Sequence, residues 1–249
     1  MSKKRKTALD SIEEISTQKR AEIAKAKMKR VLDHLLYVIE INANNEHVLY
    51  SDKLSSQIPS SYAANAFNVF QVSMHQIELV RACALWDGVD LDKENIPTVV
   101  ALIDHPAVIE NLAEETRAHH IDIPTMIDEA MRAINREFGD SQAERVRTEL
   151  RGAIDATHQM LRSQLWQSVM NVRDKHVAHS LEATRREKTA TIAPMKNHDA
   201  IKMIDASITI VEPLYVWITG GSFSIDSSRE IDRKNAKALW SGCKFEIER

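Results

Sequence analysis

The chain has 249 residues, with 33 Lys or Arg against 36 Asp or Glu and only 6 Gly and 6 Pro. Those twelve breakers make up about 5% of the chain, against roughly 12% in an average protein. This is too few for the turns of a sandwich, barrel or propeller, or for a glycine-cradled P-loop or dinucleotide site. The composition predicts an all-α fold, and the net charge of −3 excludes a uniformly basic nucleic-acid binder.

That charge is unevenly distributed. Residues 1–30 hold ten Lys or Arg and four Asp or Glu, a balance of +6 that leaves −9 for the rest. An anionic partner is therefore met locally. Residues 1–30 read as a basic N-terminal helical arm, 31–218 as one helical domain and 219–249 as a C-terminal helical extension. Within the domain, residues 90–138 form a candidate insertion of short helices.

In chain order, residues 9–41 contain no Gly or Pro. Ile12, Ile15, Ile23, Val31, Leu35, Val38 and Ile39 recur mostly at three, four or seven, or their sums, which predicts one long basic helix that turns core-facing after Met28. Ser55, Ser56, Pro59, Ser60 and Ser61 punctuate the chain before a second helix over residues 62–86, which Asp87-Gly88 stops. An acidic link through Asp90, Asp92 and Glu94 leads to short helices over 97–104 and 107–118. Pro124-Thr125 opens a helix ending at Gly139, and Ser141-Gln-Ala-Glu144 has the capping-box pattern of a new one. The stripe of Val146, Leu150, Ile154, Leu161, Leu165 and Val169 carries that helix to Val172. Residues 184–197 are polar and without a stripe, as in a loop. A helix over 198–218 stops at Gly220-Gly221, and Ser227-Ser-Arg-Glu230 caps a last helix reaching Trp240.

Cys83 and Cys243 are too few for a disulfide scaffold or zinc ribbon. No run approaches the roughly 18 apolar residues of a membrane span, and Met1-Ser-Lys-Lys-Arg-Lys-Thr leads into a charged helix, not the apolar stretch of a secretory signal. A reduced, cytoplasmic protein with no membrane partner is expected.

Asn171-Val-Arg-Asp-Lys-His-Val-Ala-His-Ser180 is the densest cluster of functional side chains. It contains a permanent cation at Arg173, a carboxylate at Asp174, and imidazoles at His176 and His179 that exchange protons near neutral pH. Metal-free phosphodiester cleavage needs these groups. A base takes the proton of a ribose 2′-hydroxyl, an acid protonates the leaving 5′-oxygen, and a fixed cation stabilises charge growing on the phosphate.

Arg173 and His179, with Asp174 following the Arg, resemble the Arg-polar-x-His signature of the HEPN superfamily, in which four to six residues separate Arg and His. The wider order resembles the abortive-infection AbiU-like branch over roughly residues 30–218. A helix ends in Arg-x-x-x-Leu-Trp-Asp at residues 81–87, short helices follow, and an Arg-Asp-Lys-His-Val-Ala-His-Ser-like motif precedes another helix. Arg151 and His158 also fall within that range of spacings, but Arg151-Gly152 lies within a predicted helix and lacks the polar residue.

The resemblance implies an HEPN-like helical bundle and an antiphage or toxin ribonuclease that cuts RNA with no cofactor and no metal. It also implies a homodimer whose two motifs form one composite cleft. It assigns acid/base work to His179, a phosphate clamp to Arg173 and an orienting role to Asp174, with His176 as a supporting candidate. An antitoxin or regulatory protein is a further expected partner.

Six helical steps of about 100° leave Arg173 and His179 roughly 120° apart around an ideal helix and about 9 Å apart along it. Either the helix distorts after Arg173 or a second protomer completes the site, and the resemblance implies the second. Arg185, Arg186 and Lys188 follow closely and are candidates to guide an RNA backbone, with solvated surface charge as the alternative. Trp86, Trp166, Trp217 and Trp240 fall on or beside apolar stripes and read as core before base-stacking platforms. The competing functional class is a non-catalytic helical module that binds RNA or a regulatory protein through the same dimer.

Overall fold

The computed structural model describes residues 7–121, 129–177 and 181–247, and among them every regular element is helical. Thr7 and Asp10 form a capping box at the start of α1 (Ala8–Glu13). The expected single helix from residue 9 is broken here. Ser16 begins α2 (Thr17–Val48), its hydroxyl accepting from the Lys19 N–H at 3.4 Å. Then follow α3 (Asp52–Ser55), α4 (Tyr62–Ala84), α5 (Ile96–Ile103), α6 (Pro106–Ile121), α7 (Glu129–Arg162) and α8 (Gln164–Val172). A π turn (Arg173–Val177), α9 (Arg185–Thr189), α10 (Asp199–Thr219) and α11 (Ile225–Ser241) complete the order.

Four further boundaries differ from the sequence expectation. Helix α7 runs straight through Gly139 and Ser141. A β-carbon at Gly139 would lie 3.2 Å from the Arg117 carbonyl oxygen of α6, so this glycine serves close approach between helices and not termination. The interruption comes instead at Ser163, whose hydroxyl accepts from the Trp166 N–H at 3.1 Å and caps α8. Within the expected loop, Thr184 and Glu187 form a reciprocal capping box that starts α9. The last helix starts from Ser224, three residues before the expected cap. Pro124-Thr125 lies outside the described residues.

The described residues cluster in two compact units, one comprising residues 1–32, 85–161 and 209–223 and the other 33–84, 162–208 and 224–249. In the first, α5 is buried on nearly all sides, as its sequence Ile-Pro-Thr-Val-Val-Ala-Leu-Ile requires. Arg20 is buried and donates from Nε to the Leu102 carbonyl at 2.8 Å and from Nη2 to the Ala101 carbonyl at 2.9 Å, satisfying orphan carbonyls at the end of α5. Lys27 is buried and donates to the Lys93 carbonyl at 2.9 Å. Part of the charge of residues 1–30 is thus spent inside this unit.

In the second unit a fully buried carboxylate ties α2 to α4. Glu78 accepts from Asn42 Nδ2 at 2.7 Å, Asn45 Nδ2 at 3.1 Å and the Tyr50 hydroxyl at 2.8 Å. Burial and the neighbouring Glu78 charge push the Tyr50 hydroxyl pKa up. Among the described residues no helix is long and apolar enough to cross a membrane.

Candidate active site

Helix α8 buries Ser168, Val169, Met170 and Asn171 and then widens into the π turn, which begins at Arg173. An i to i+5 turn admits one extra residue and shifts every following side chain around the axis. The backbone is therefore distorted from Arg173 onward, at the first residue of the motif.

Side chains from the π turn and α9 interlock. Arg173 Nε meets Asp174 Oδ1 at 2.8 Å, and Asp174 Oδ2 is ion-paired to Arg186 Nη1. The carboxylate is thus held between two guanidinium groups. The Arg186 guanidinium also lies over the Trp166 ring, 4.8 Å from its centroid. A second strap runs alongside, in which Glu187 Oε1 accepts from Lys175 Nζ at 2.9 Å and from Asn171 Nδ2 at 3.0 Å. Glu187 Oε2 accepts from the Thr184 N–H at 3.0 Å, and the Thr184 hydroxyl donates to Asn171 Oδ1 at 2.5 Å. The Asn171 hydrogen bond, then the Thr184 backbone and then Lys175 hold the Glu187 carboxyl down to about 2. The Leu181 N–H donates to the Lys175 carbonyl at 3.1 Å, tying the chain after the motif back to the π turn.

Of the residues singled out in the sequence, Arg173, Asp174 and Arg186 are brought together. His176 is exposed on the π turn, and Arg185 and Lys188 are exposed on α9. His179 lies outside the described residues, with Ala178 and Ser180. Arg186, expected to guide RNA, has its guanidinium on Asp174 and Trp166. Trp166, expected in the core, is half-buried as the platform for that cation. Asn171, Lys175, Thr184 and Glu187 were not singled out as site residues. The Thr184-Arg-Arg-Glu187 pattern was the available signal, since it has capping-box spacing.

The arrangement fixes a guanidinium. A carboxylate held by Arg186 keeps the Arg173 plane in place, and a fixed planar cation suits a phosphate better than a mobile one. Val172, one residue before Arg173, also lines a cleft of about 570 Å³ with Tyr50, His75, Lys196 and His198.

Compared with known families, the chain matches AbiU2, a HEPN family, over residues 25–239. The chain belongs to the AbiU2 family of HEPN proteins. The AbiU2 match includes the whole interlocked cluster and extends beyond the stretch 30–218 at both ends, from within α2 into α11. It makes this an abortive-infection HEPN module. No curated protein and no solved structure matches the chain.

Proposed function

We propose that this AbiU2-family protein is a metal-independent endoribonuclease of an antiphage or toxin system, acting in the cytoplasm as a homodimer. The observation that carries the reading is the placement of Arg173 at the first position of a π turn, paired with an Asp174 that Arg186 holds from α9. In the reaction a base removes the 2′-hydroxyl proton, the 2′-oxygen bonds to phosphorus, and the bond to the 5′-oxygen breaks as that oxygen gains a proton. The products are a cyclic phosphate on the 5′ fragment and a free 5′-hydroxyl. Arg173 stabilises charge on the phosphate oxygens, Asp174 orients Arg173, and His179 transfers protons.

Base and acid are two groups, and the motif read from the sequence offers one His179 per chain. Two motifs facing each other supply both, so the site is composite across the dimer. His176 is exposed one turn away and supports the site, while Arg185 and Lys188 meet the RNA backbone. An antitoxin or other regulatory protein restrains the activity.

The test is cleavage of RNA by purified protein in excess chelator. Arg173→Ala and His179→Ala should each abolish it while the oligomer persists. Unchanged activity in both variants refutes the site. Retention of RNA without turnover, insensitive to His179, identifies a binding module instead.

A further inference from the structure

The outward face of α4 stands apart from the rest of this charged protein. Between Tyr62 and Val80 the only Asp, Glu, Lys or Arg is Glu78, and that residue is fully buried. Tyr62, Ala66, Val69, Ser73, Gln76 and Val80 are all exposed, Tyr62 at 94% and Val69 at 64%. Phe70, Val72 and Ile77 flank them and are also exposed. Single exposed apolar residues are ordinary, but a contiguous uncharged face more than four turns long is not. It offers no cation to a nucleic acid and no charge to an oppositely charged protein.

The spacing of this stripe is four, three, four, three, four. That is the a/d seam of a two-helix coiled coil, with small Ala66 and Ser73 alternating with larger side chains. The series reads the same in both directions, so a second copy of the face meets it in register whether the helices run parallel or antiparallel. An isologous contact requires one patch that is complementary to itself, and a neutral seam meets its copy without like-charge repulsion. At its C-terminal end the seam enters a cleft of about 490 Å³ lined by Ile77, Val80, Arg81 and Val177 of the π turn, with Tyr37 from α2. A chain covering the seam there arrives beside the turn that carries Arg173.

We infer that two copies of this chain pair through the exposed face of α4. The pairing rests on the composite-site reading only for its direction. Parallel helices bring the two Val177 clefts together, as one composite cleft requires. Antiparallel helices, centred midway between Val69 and Ser73, set the two Val80 positions about 27 Å apart along the seam.

The experiment is sedimentation of the full chain, wild type against Val69→Glu with Gln76→Glu, and against Val69→Thr as a neutral control. The charged variant should weaken dimerisation at least tenfold with unchanged helical circular dichroism, and the control should not. A wild-type monomer at all accessible concentrations, or a charged variant that stays dimeric, overturns the proposal. Disulfide trapping in a Cys243→Ser background separates the two readings. Val80→Cys trapping with itself supports both the pairing and the composite cleft. Trapping only in the Tyr62→Cys, Val80→Cys double variant supports the pairing through α4 and refutes the facing motifs. A dimer through α4 that still cuts RNA as His179→Ala likewise leaves the pairing standing while the catalytic reading fails.

Discussion

Asp174 and Arg186, twelve residues apart in sequence, are joined by an ion pair that fastens α9 to the π turn, while Asp174 also holds Arg173. This makes α9 a brace for Arg173. In Arg186→Ala, Asp174 keeps one guanidinium in place of two and Trp166 loses its cation. Stability should fall by about 1 kcal/mol, since partly exposed pairs and cation–π contacts are individually small. RNA turnover should fall by about tenfold in kcat with little change in KM. Arg186→Lys should not restore it, because an ammonium cannot both lie flat on Trp166 and pair with Asp174. Full activity in Arg186→Ala removes the brace.

The Glu187 strap gives the cluster an acid limit. The Glu187 carboxyl titrates at about 2 in the folded chain against an ordinary 4.5. A depressed carboxyl contributes stability that is complete above 4.5 and is lost as pH falls towards 2. Thermal melts of wild type and Glu187→Gln should differ at pH 7 and converge across that window. A difference as large at pH 2.5 as at pH 7 contradicts the assignment.

Glu78 should prove the most sensitive polar position of its unit. Its removal leaves the Asn42 and Tyr50 donors with no acceptor in a buried site and Asn45 Nδ2 with only the Met74 carbonyl, at 3.4 Å. Each such loss costs about 1–3 kcal/mol, partly relieved by water entering the gap. Glu78→Ala should therefore lower unfolding free energy in urea by roughly 3 kcal/mol, and Glu78→Gln by less, because one carbonyl acceptor survives. Equal midpoints for wild type and Glu78→Ala sink the network.

Two glycines of α7 should respond oppositely to alanine. At Gly152 a β-carbon meets nothing within 4 Å, so Gly152→Ala should stabilise by about 0.5–1 kcal/mol through reduced freedom of the unfolded chain. At Gly139 the β-carbon approaches the Arg117 carbonyl at 3.2 Å, so the same gain is cancelled or reversed. Melting temperatures of the two variants decide this, and a higher value for Gly139→Ala refutes the close approach.

The features that were legible in the sequence depend on near neighbours. The scarcity of Gly and Pro announced helices, and the Arg173-Asp174 cluster with its surroundings pointed to the AbiU2 family, which the match over residues 25–239 establishes. Capping boxes at Thr7 and Thr184 were present as patterns, because a cap is an interaction over three residues. The periodic stripe of α4 was readable as well, though not which of its faces stays exposed.

Tertiary structure decided whatever joins distant residues. Gly139 looked like a helix stop because propensity assigns it that role, yet the neighbour that matters is Arg117. Arg20 counted as part of a basic arm until α5, 82 residues further on, supplied carbonyls for it to cap. The Asp174 to Arg186 pair had no local signal, because two charges twelve positions apart meet only if the chain turns back between them. By itself the sequence determined the class of fold and the family, which are legible in composition and in the order of short motifs. Which charges are spent on packing and which stay exposed depended on burial and long-range pairing, whose energies exist only once the helices have assembled.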